Sequence, residues 1–374
     1  MKKILANSWL QLLRIQNSSK PLKPFDKTRI NNILFIEVSK LGDVVALLPT
    51  IRCFQQNIPK ARLHFAVDTR YVSVVRTFVP SAVIYPLDKT DSFSGILSAV
   101  QSLLEIRFDL LCSMSPSLRN AFLAFRLNST FKAGYFESYS AYTPFLFKNH
   151  IKSYGISKTH SQTFYKENIE ERGLKICKHL RLELNRHTLF SNPVNIPVSN
   201  SIEKSSLVKT PFVVMHPFSG WEYRNWKAER YAELAKQIIK ETDFNVVIIG
   251  SVNEKIDSEK LKTSIMHPGK VFPIFNHNLD DMIAIISKSK LFIGNDSGPL
   301  HLASALNIPS IGLFGPATPA LTAPKKLDNF YFHKKVDCCP CDQTKCVRPD
   351  SPCIDLITVH EVAQKSIHYL NKYN

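Results

Sequence analysis

Short apolar runs alternate along this chain with stretches whose apolar residues recur every three or four positions. In the first half the runs predict strands over Ile33 to Val38, Leu63 to Val67, Val83 to Tyr85, Asp109 to Ser113 and Phe131 to Gly134. Helical spacing lies between them over Val44 to Gln55, Val72 to Thr77 and Phe93 to Glu105, and again around Ser161 to Leu184. A second series follows, with "PFVVMHP", "FNVVIIGS", "KLFIGND" and "PSIGLFG" as strands. The helix "KAERYAELAKQIIKE" is the clearest, because Tyr231, Leu234, Ala235, Ile238 and Ile239 recur at i, i+3, i+4, i+7 and i+8. Strands that alternate with helices in this way imply a parallel sheet with helices on its faces. Two such series, separated by the Pro-, Asn- and Ser-containing stretch 191–210, imply two α/β domains with their site in the cleft at the carboxyl ends of the strands.

The boundaries that follow are an amino-terminal amphipathic extension over 1–30, a first domain over 31–190, a linker over 191–210, a second domain over 211–355 and a last helix over 356–374. Pro49, within the first helical pattern, removes a backbone donor and predicts a kink. On a helix, Leu5, Trp9, Leu12 and Leu13 share a face, which suits either packing on the chain's own domain or binding to an anionic membrane surface. No apolar run reaches 18 residues, so no transmembrane helix is expected, and the first residues lack the pattern of a signal peptide.

Composition narrows the partners. The 48 Lys and Arg outweigh 31 Asp and Glu for a formal charge of +17, which favours anionic partners. No basic run with interleaved aromatics accompanies that charge, so a nucleic-acid binder is not the expectation. Of the eight cysteines, Cys53, Cys112 and Cys177 read as reduced core residues. The other five crowd into "DCCPCDQTKCVRPDSPC", where a metal knuckle through Cys338, Cys341, Cys346 and Cys353, a disulfide-stapled loop and a free-thiol loop all stay open.

Three segments carry candidate chemistry. In "SKLGDVVALLP" a strand feeds a helix at Asp43, after Ser39, Lys40 and Gly42; the carboxylate suits a helix cap or a general base, and Ser39 and Lys40 can hold anionic groups of a substrate. In "HPFSGWEYRNW" Arg224 precedes a helix amino terminus, where a cation is unfavourable for the helix and suited to a phosphate. Trp226 there stacks on a ligand or anchors the loop. In "IGNDSGPLHLASAL" a turn with Asp296, Ser297 and Gly298 opens a helix at Pro299 with His301 in its first turn, which suits a diphosphate as well as simple capping. Glu254, after "VVIIGS", is a candidate for a ribose.

Taken in order, "LGDVVALLP", "HPFSGWEYRNW" and "GNDSGPLHLASAL", with "FDLLCSMSPSLRNAFLAFRLNSTFKAGY" between the first two, resemble glycosyltransferase family nine, the heptosyltransferases of the lipopolysaccharide core. The resemblance runs from about Asn32 to the carboxyl-terminal helix. It implies a GT-B fold of two Rossmann-like domains facing a cleft, acceptor mainly on the first and nucleotide sugar mainly on the second, with "VHEVAQKSIHYL" as the helix that crosses back. It implies Asp43 as the base of an inverting transfer that requires no cofactor. Arg224, Asp296, Ser297, Gly298 and His301 would hold the donor diphosphate and nucleotide, and Ser39, Lys40 and Gly42 would contact the acceptor or a phosphate. It also implies ADP-heptose as donor, lipid A bearing Kdo or a heptosylated core as acceptor, and a cytoplasmic protein peripheral to the inner membrane. Two departures stand out: Glu37 occupies a position where the family often carries a basic or neutral residue, and 140–158, expected near the acceptor, shows no assignable pattern.

Overall fold

The computed structural model of the 374-residue chain describes residues 25–88, 101–115, 118–134, 168–185 and 210–372, with residues 189 and 196 and short gaps at 268, 276–277, 327 and 342–344. Residues 1–24 of the expected extension 1–30, residues 93–100 of the expected 93–105 helix, most of the 191–210 stretch and the 140–158 region lie outside the described residues. The chain divides into two compact units, Met1–Lys166 with Glu171–Leu189, and Glu167–Glu170 with Phe190–Asn374. The short return of 167–170 has a local cause. Asn168 Nδ2 donates to the Ala323 carbonyl at 2.8 Å, and Glu170 accepts from the Lys325 N–H at 3.0 Å.

The first unit holds a parallel sheet of β1 (Asn32–Glu37), β2 (Arg62–Asp68), β3 (Val83–Leu87), β4 (Phe108–Ser113) and β5 (Ser129–Gly134), in the order β3-β2-β1-β4-β5. All five expected strands are present. β1 pairs on both sides, and Ile33 through Ile36 are fully buried, which is why its sequence is a continuous apolar run rather than an alternation. The helical pattern after β1 is divided rather than kinked: α1 (Leu41–Ala46) ends and α2 (Leu48–Asn57) begins with Pro49 in its first turn. Proline has no N–H to give to the preceding turn, so it serves better as a beginning than as an interior residue.

The second unit holds β6 (Phe212–His216), β7 (Asn245–Gly250), β8 (Val271–Phe275), β9 (Leu291–Asn295), β10 (Ser310–Phe314) and β11 (Asn329–His333), all parallel, in the order β11-β10-β9-β6-β7-β8. α3 (Ala228–Glu241) buries the five residues its spacing predicts. α4 (Gly298–Ala305) follows β9, and the last helix, α5 (Val359–Lys372), packs beside α3, with Val362, Ala363, Tyr369 and Leu370 in the core that α3 covers. β8 and β11 are not expected from the sequence. Both are edge strands, largely half-buried, and Pro273 stands inside β8, where only an edge tolerates a missing donor.

One buried histidine gives the first sheet a pH dependence. His64 on β2 is 3% exposed, with Nδ1 3.1 Å from the Tyr85 hydroxyl and Nε2 3.2 Å from Asn32 Oδ1. Burial, with Arg62 adding to it, pushes its pKa down from 6.5 to about 4. The imidazole is therefore neutral in the native state and charged in the unfolded chain below 6.5, so stability is lost as pH falls from 6.5 toward about 4. Denaturant unfolding at about pH 7 and about pH 4.5 should show a smaller loss for His64→Gln than for the wild type. An equal loss in both would place the acid sensitivity elsewhere.

Candidate active site

Both sheets reverse their strand order at one point: beside β1 in the first, and between β6 and β9 in the second. Chains leaving the two sides of such a point go to opposite faces, which opens a crevice at the carboxyl ends. The residues with candidate chemistry gather there.

On the first unit, β1 ends at Glu37 and α1 begins after Lys40, which occupies the cap position without a side-chain capping bond. The strand stops well before Gly42, which lies in the first helical turn rather than in a tight turn ending the strand. Asp43 stands beside it in the same turn, half-buried, and accepts from Ser39 Oγ at 2.8 Å. Ser39 also bonds to the carboxylate of Glu37, which is 3% exposed. Lys40 is exposed. Asp43 is thus not the cap of its helix; its carboxylate is oriented from the side by a hydroxyl.

On the second unit, Arg224 ends a short 3-10 turn, Glu222–Arg224. Its Nη1 lies 3.0 Å from Asp296 Oδ2 and donates to the Asp296 carbonyl at 3.4 Å. Asp296 is 4% exposed, so its carboxylate holds the guanidinium at the mouth of α4. The guanidinium in turn keeps this buried carboxylate from being a buried charge without a counterion. Ser297 is the cap residue of α4, yet its side chain makes no capping bond; Oγ lies 3.2 Å from His216 Nδ1 instead. Gly298 opens the helix, with Pro299 next, and His301 in the first turn is 6% exposed. The site therefore combines a cation, a serine hydroxyl and a helix amino terminus, a set that suits a diphosphate.

Two residues that the sequence did not single out hold this turn together. Asn295 ends β9, fully buried; its Oδ1 accepts from the Trp226 N–H at 3.2 Å and the Tyr231 hydroxyl at 3.0 Å, and its Nδ2 donates to the Pro217 carbonyl at 2.8 Å. His216 ends β6 and meets Ser297. The available signal was a polar residue at each strand end, "MH" and "GN", in otherwise apolar runs. Gly294 lies within β9 and not in the turn; a Cβ there would stand 2.9 Å from Phe292 and 3.0 Å from the His216 carbonyl. Trp226 is an anchor: it is 1% exposed and its Nε1 donates to the Ile357 carbonyl at 3.0 Å. Glu254 is engaged in a capping box with Ser251, accepting from its N–H at 2.5 Å.

The thiols expected to close a metal site are not brought together for it. Among the described residues no group of three or more His, Cys, Asp or Glu side chains is placed to hold a metal ion. Cys339, outside the expected set of Cys338, Cys341, Cys346 and Cys353, turns inward: its Sγ donates to the Gly315 and Pro316 carbonyls at 3.3 Å and faces His333 Nε2 at 3.3 Å. Cys346 accepts from the Arg348 N–H at 3.4 Å. Burial pushes the thiol of Cys339 up to about 12 and that of Cys353 up to about 11. All eight cysteines are free thiols, so the disulfide-stapled loop is not what forms.

Residues 96–350 match the model of glycosyltransferase family 9 (heptosyltransferase), more than half of the chain. The chain belongs to glycosyltransferase family 9. Among family relatives, the lipopolysaccharide core heptosyltransferase OpsX of Haemophilus influenzae is 24% identical over 318 residues, covering 80% of this chain and 83% of that one. In fold, this family 9 chain is similar to the ADP-heptose lipopolysaccharide heptosyltransferase II of E. coli, with a TM-score of 0.69 and 19% identity over 91% of this chain and 99% of that one. A family 9 glycosyltransferase from Veillonella parvula gives a TM-score of 0.73 at 15% identity, over 94% of this chain and all of the other. The GT-B expectation of two parallel-sheet α/β domains is borne out.

Asn295→Ala removes the partner of three buried groups in this family 9 site. At roughly 1–3 kcal/mol for each buried group left unpaired, relieved in part by repacking, the second unit should lose about 2–5 kcal/mol of stability in denaturant unfolding. Nucleotide binding should weaken with it, and an unchanged unfolding midpoint would refute this account of Asn295.

Proposed function

We propose that this chain is an inverting glycosyltransferase that moves heptose from ADP-L-glycero-D-manno-heptose to the inner core of lipopolysaccharide, with lipid A bearing Kdo or a heptosylated core as acceptor. The observation that carries the reading is the match along four fifths of the chain to a lipopolysaccharide core heptosyltransferase. The chemistry at the two sheets suits that reaction. Asp43 takes the proton of the acceptor hydroxyl, the oxygen attacks the anomeric carbon from the face opposite ADP, and the bond to the diphosphate breaks. Negative charge grows on the departing ADP. Arg224, held by Asp296, and the amino terminus of α4 around Ser297, Gly298 and His301 meet that charge, so they stabilise the transition state more than the ground state.

Ser39, Lys40 and Gly42 face the acceptor side of the reaction, where Lys40 suits the anionic groups of Kdo and lipid A phosphates. No helix among the described residues is long and apolar enough to cross a membrane. The formal charge of +17 supports a peripheral protein drawn to the anionic cytoplasmic surface of the inner membrane.

The test is ADP release by purified protein from ADP-heptose, with and without a heptose-deficient core acceptor, with UDP- and GDP-sugars as controls. Acceptor-dependent release should fall by about 10²–10⁴ in Asp43→Asn and about 10²–10³ in Arg224→Ala. Turnover with a UDP- or GDP-sugar and none with ADP-heptose would overturn the donor assignment.

A further inference from the structure

The carboxyl end of β2 carries a cation to which the transfer chemistry above gives no part. β2 runs beside β1 in parallel register, Glu37 against Val67, so Asp68 and the turn after it stand at the same end of the sheet as the Asp43 turn. Asp68 is 1% exposed and accepts from Arg70 three times: from the backbone N–H at 3.0 Å, from Nε at 2.9 Å and from Nη2 at 2.8 Å. A guanidinium carries five N–H donors in a rigid plane, so spending Nε and Nη2 on Asp68 turns the other edge, Nη1 and the second Nη2 hydrogen, away from it. That side chain is 61% exposed. An exposed arginine ordinarily samples many rotamers; this one is held by a buried carboxylate and by the Tyr71 ring, whose centre lies 5.3 Å from Cζ.

Tyr71 ties the cation to the proposed base. Burial pushes its phenol above the ordinary range, and the groups around it include Arg70, Asp68, the Leu41 N–H and Asp43. Leu41 opens α1, the helix whose first turn holds Asp43. The same construction stands on the second unit, where buried Asp296 holds Arg224. Asp68, with Asp88 nearby, offsets part of the charge on Arg70. What remains is direction: a fork fixed in its plane distinguishes an oxyanion, which accepts two parallel N–H bonds, from a neutral hydroxyl.

We propose that Arg70 is a specificity-determining residue for the acceptor: its outward edge binds an oxyanion of the acceptor, a phosphate or a sugar-acid carboxylate, while Asp43 takes the proton of the attacking hydroxyl, and Asp68 is the residue that positions Arg70. This rests on the reading of the first unit as the acceptor side. Arg70 exchanges no proton and contacts no reacting atom, so its contribution lies in holding the acceptor rather than in the transfer step.

The test measures kcat and KM for acceptor-dependent ADP release in full-length variants, with thermal unfolding alongside. Arg70→Gln should raise KM for the acceptor about 10- to 50-fold, with KM for ADP-heptose within about twofold. Combining Asp68→Asn with Arg70→Gln removes the buried carboxylate along with its counterion; stability should recover, and the acceptor KM should stay as high as in Arg70→Gln alone. Two altered acceptors locate the oxyanion, one freed of its phosphates and one with its sugar-acid carboxyl reduced to the alcohol. The one lacking the group that Arg70 binds should show the raised KM with wild type, and Arg70→Gln should then add less than about twofold. An unchanged acceptor KM in Arg70→Gln, a KM that recovers with stability in the double variant, or full sensitivity to Arg70→Gln with both altered acceptors would overturn the proposal. Wild type without acceptor-dependent turnover would overturn the acceptor reading itself, and this assignment with it.

Discussion

The second unit of this molecule is organised around a single buried amide. Asn295 ends a central strand, and its oxygen and nitrogen bind the backbone and side chains of 217–231, across the gap to the neighbouring strand's loop. An amide at zero exposure has to satisfy both ends or forfeit the desolvation of each. That requirement fixes where the loop carrying Arg224 begins and ends. Arg224 then reaches Asp296, the next residue after Asn295, and Ser297 reaches His216 at the end of the adjoining strand. Consecutive residues of one turn thus grip three different segments.

The same topological rule serves both sheets. In each, the reactive side chains follow the strand at which neighbouring connections part, where backbone no longer covers the sheet edge. The two places are furnished with opposite charge. Beside β1 stand carboxyl groups joined by a hydroxyl; beside β6 and β9 stands a guanidinium at a helix amino terminus, with its counterion already in place.

Much of this was legible in the sequence because the central strands announce themselves. A strand buried on both faces, such as "NVVIIG", has little choice but a continuous apolar run, and β1, β2 and β4 of the first unit were visible for that reason. β8 and β11 were hidden because edge strands half open to solvent impose neither a run nor an alternation, and Pro273 argued against the former. The site residues were legible by type but not by partner. Asp296 was legible as part of a turn suited to a diphosphate, yet its carboxylate pairs with Arg224, 72 residues earlier. The thiols show the same limit from the other side: their spacing allowed a metal site, and the direction each Sγ takes, toward carbonyls or amides, is decided by loop packing that spacing does not encode.

The anchoring of the Arg224 loop reaches to the end of the chain. The Ile357 carbonyl accepts from both Trp226 and Arg230, Arg230 also holds the Asp355 carbonyl at 2.6 Å, and Lys227 pairs with the Asp355 carboxylate at 3.0 Å. These acceptors lie some 130 residues after the loop they fasten. On the ribosome both sheets are synthesised in full while that loop still lacks its fastening. The Arg224 loop is therefore fastened only when residues 355–357 emerge and α5 docks, long after the loop itself has been made.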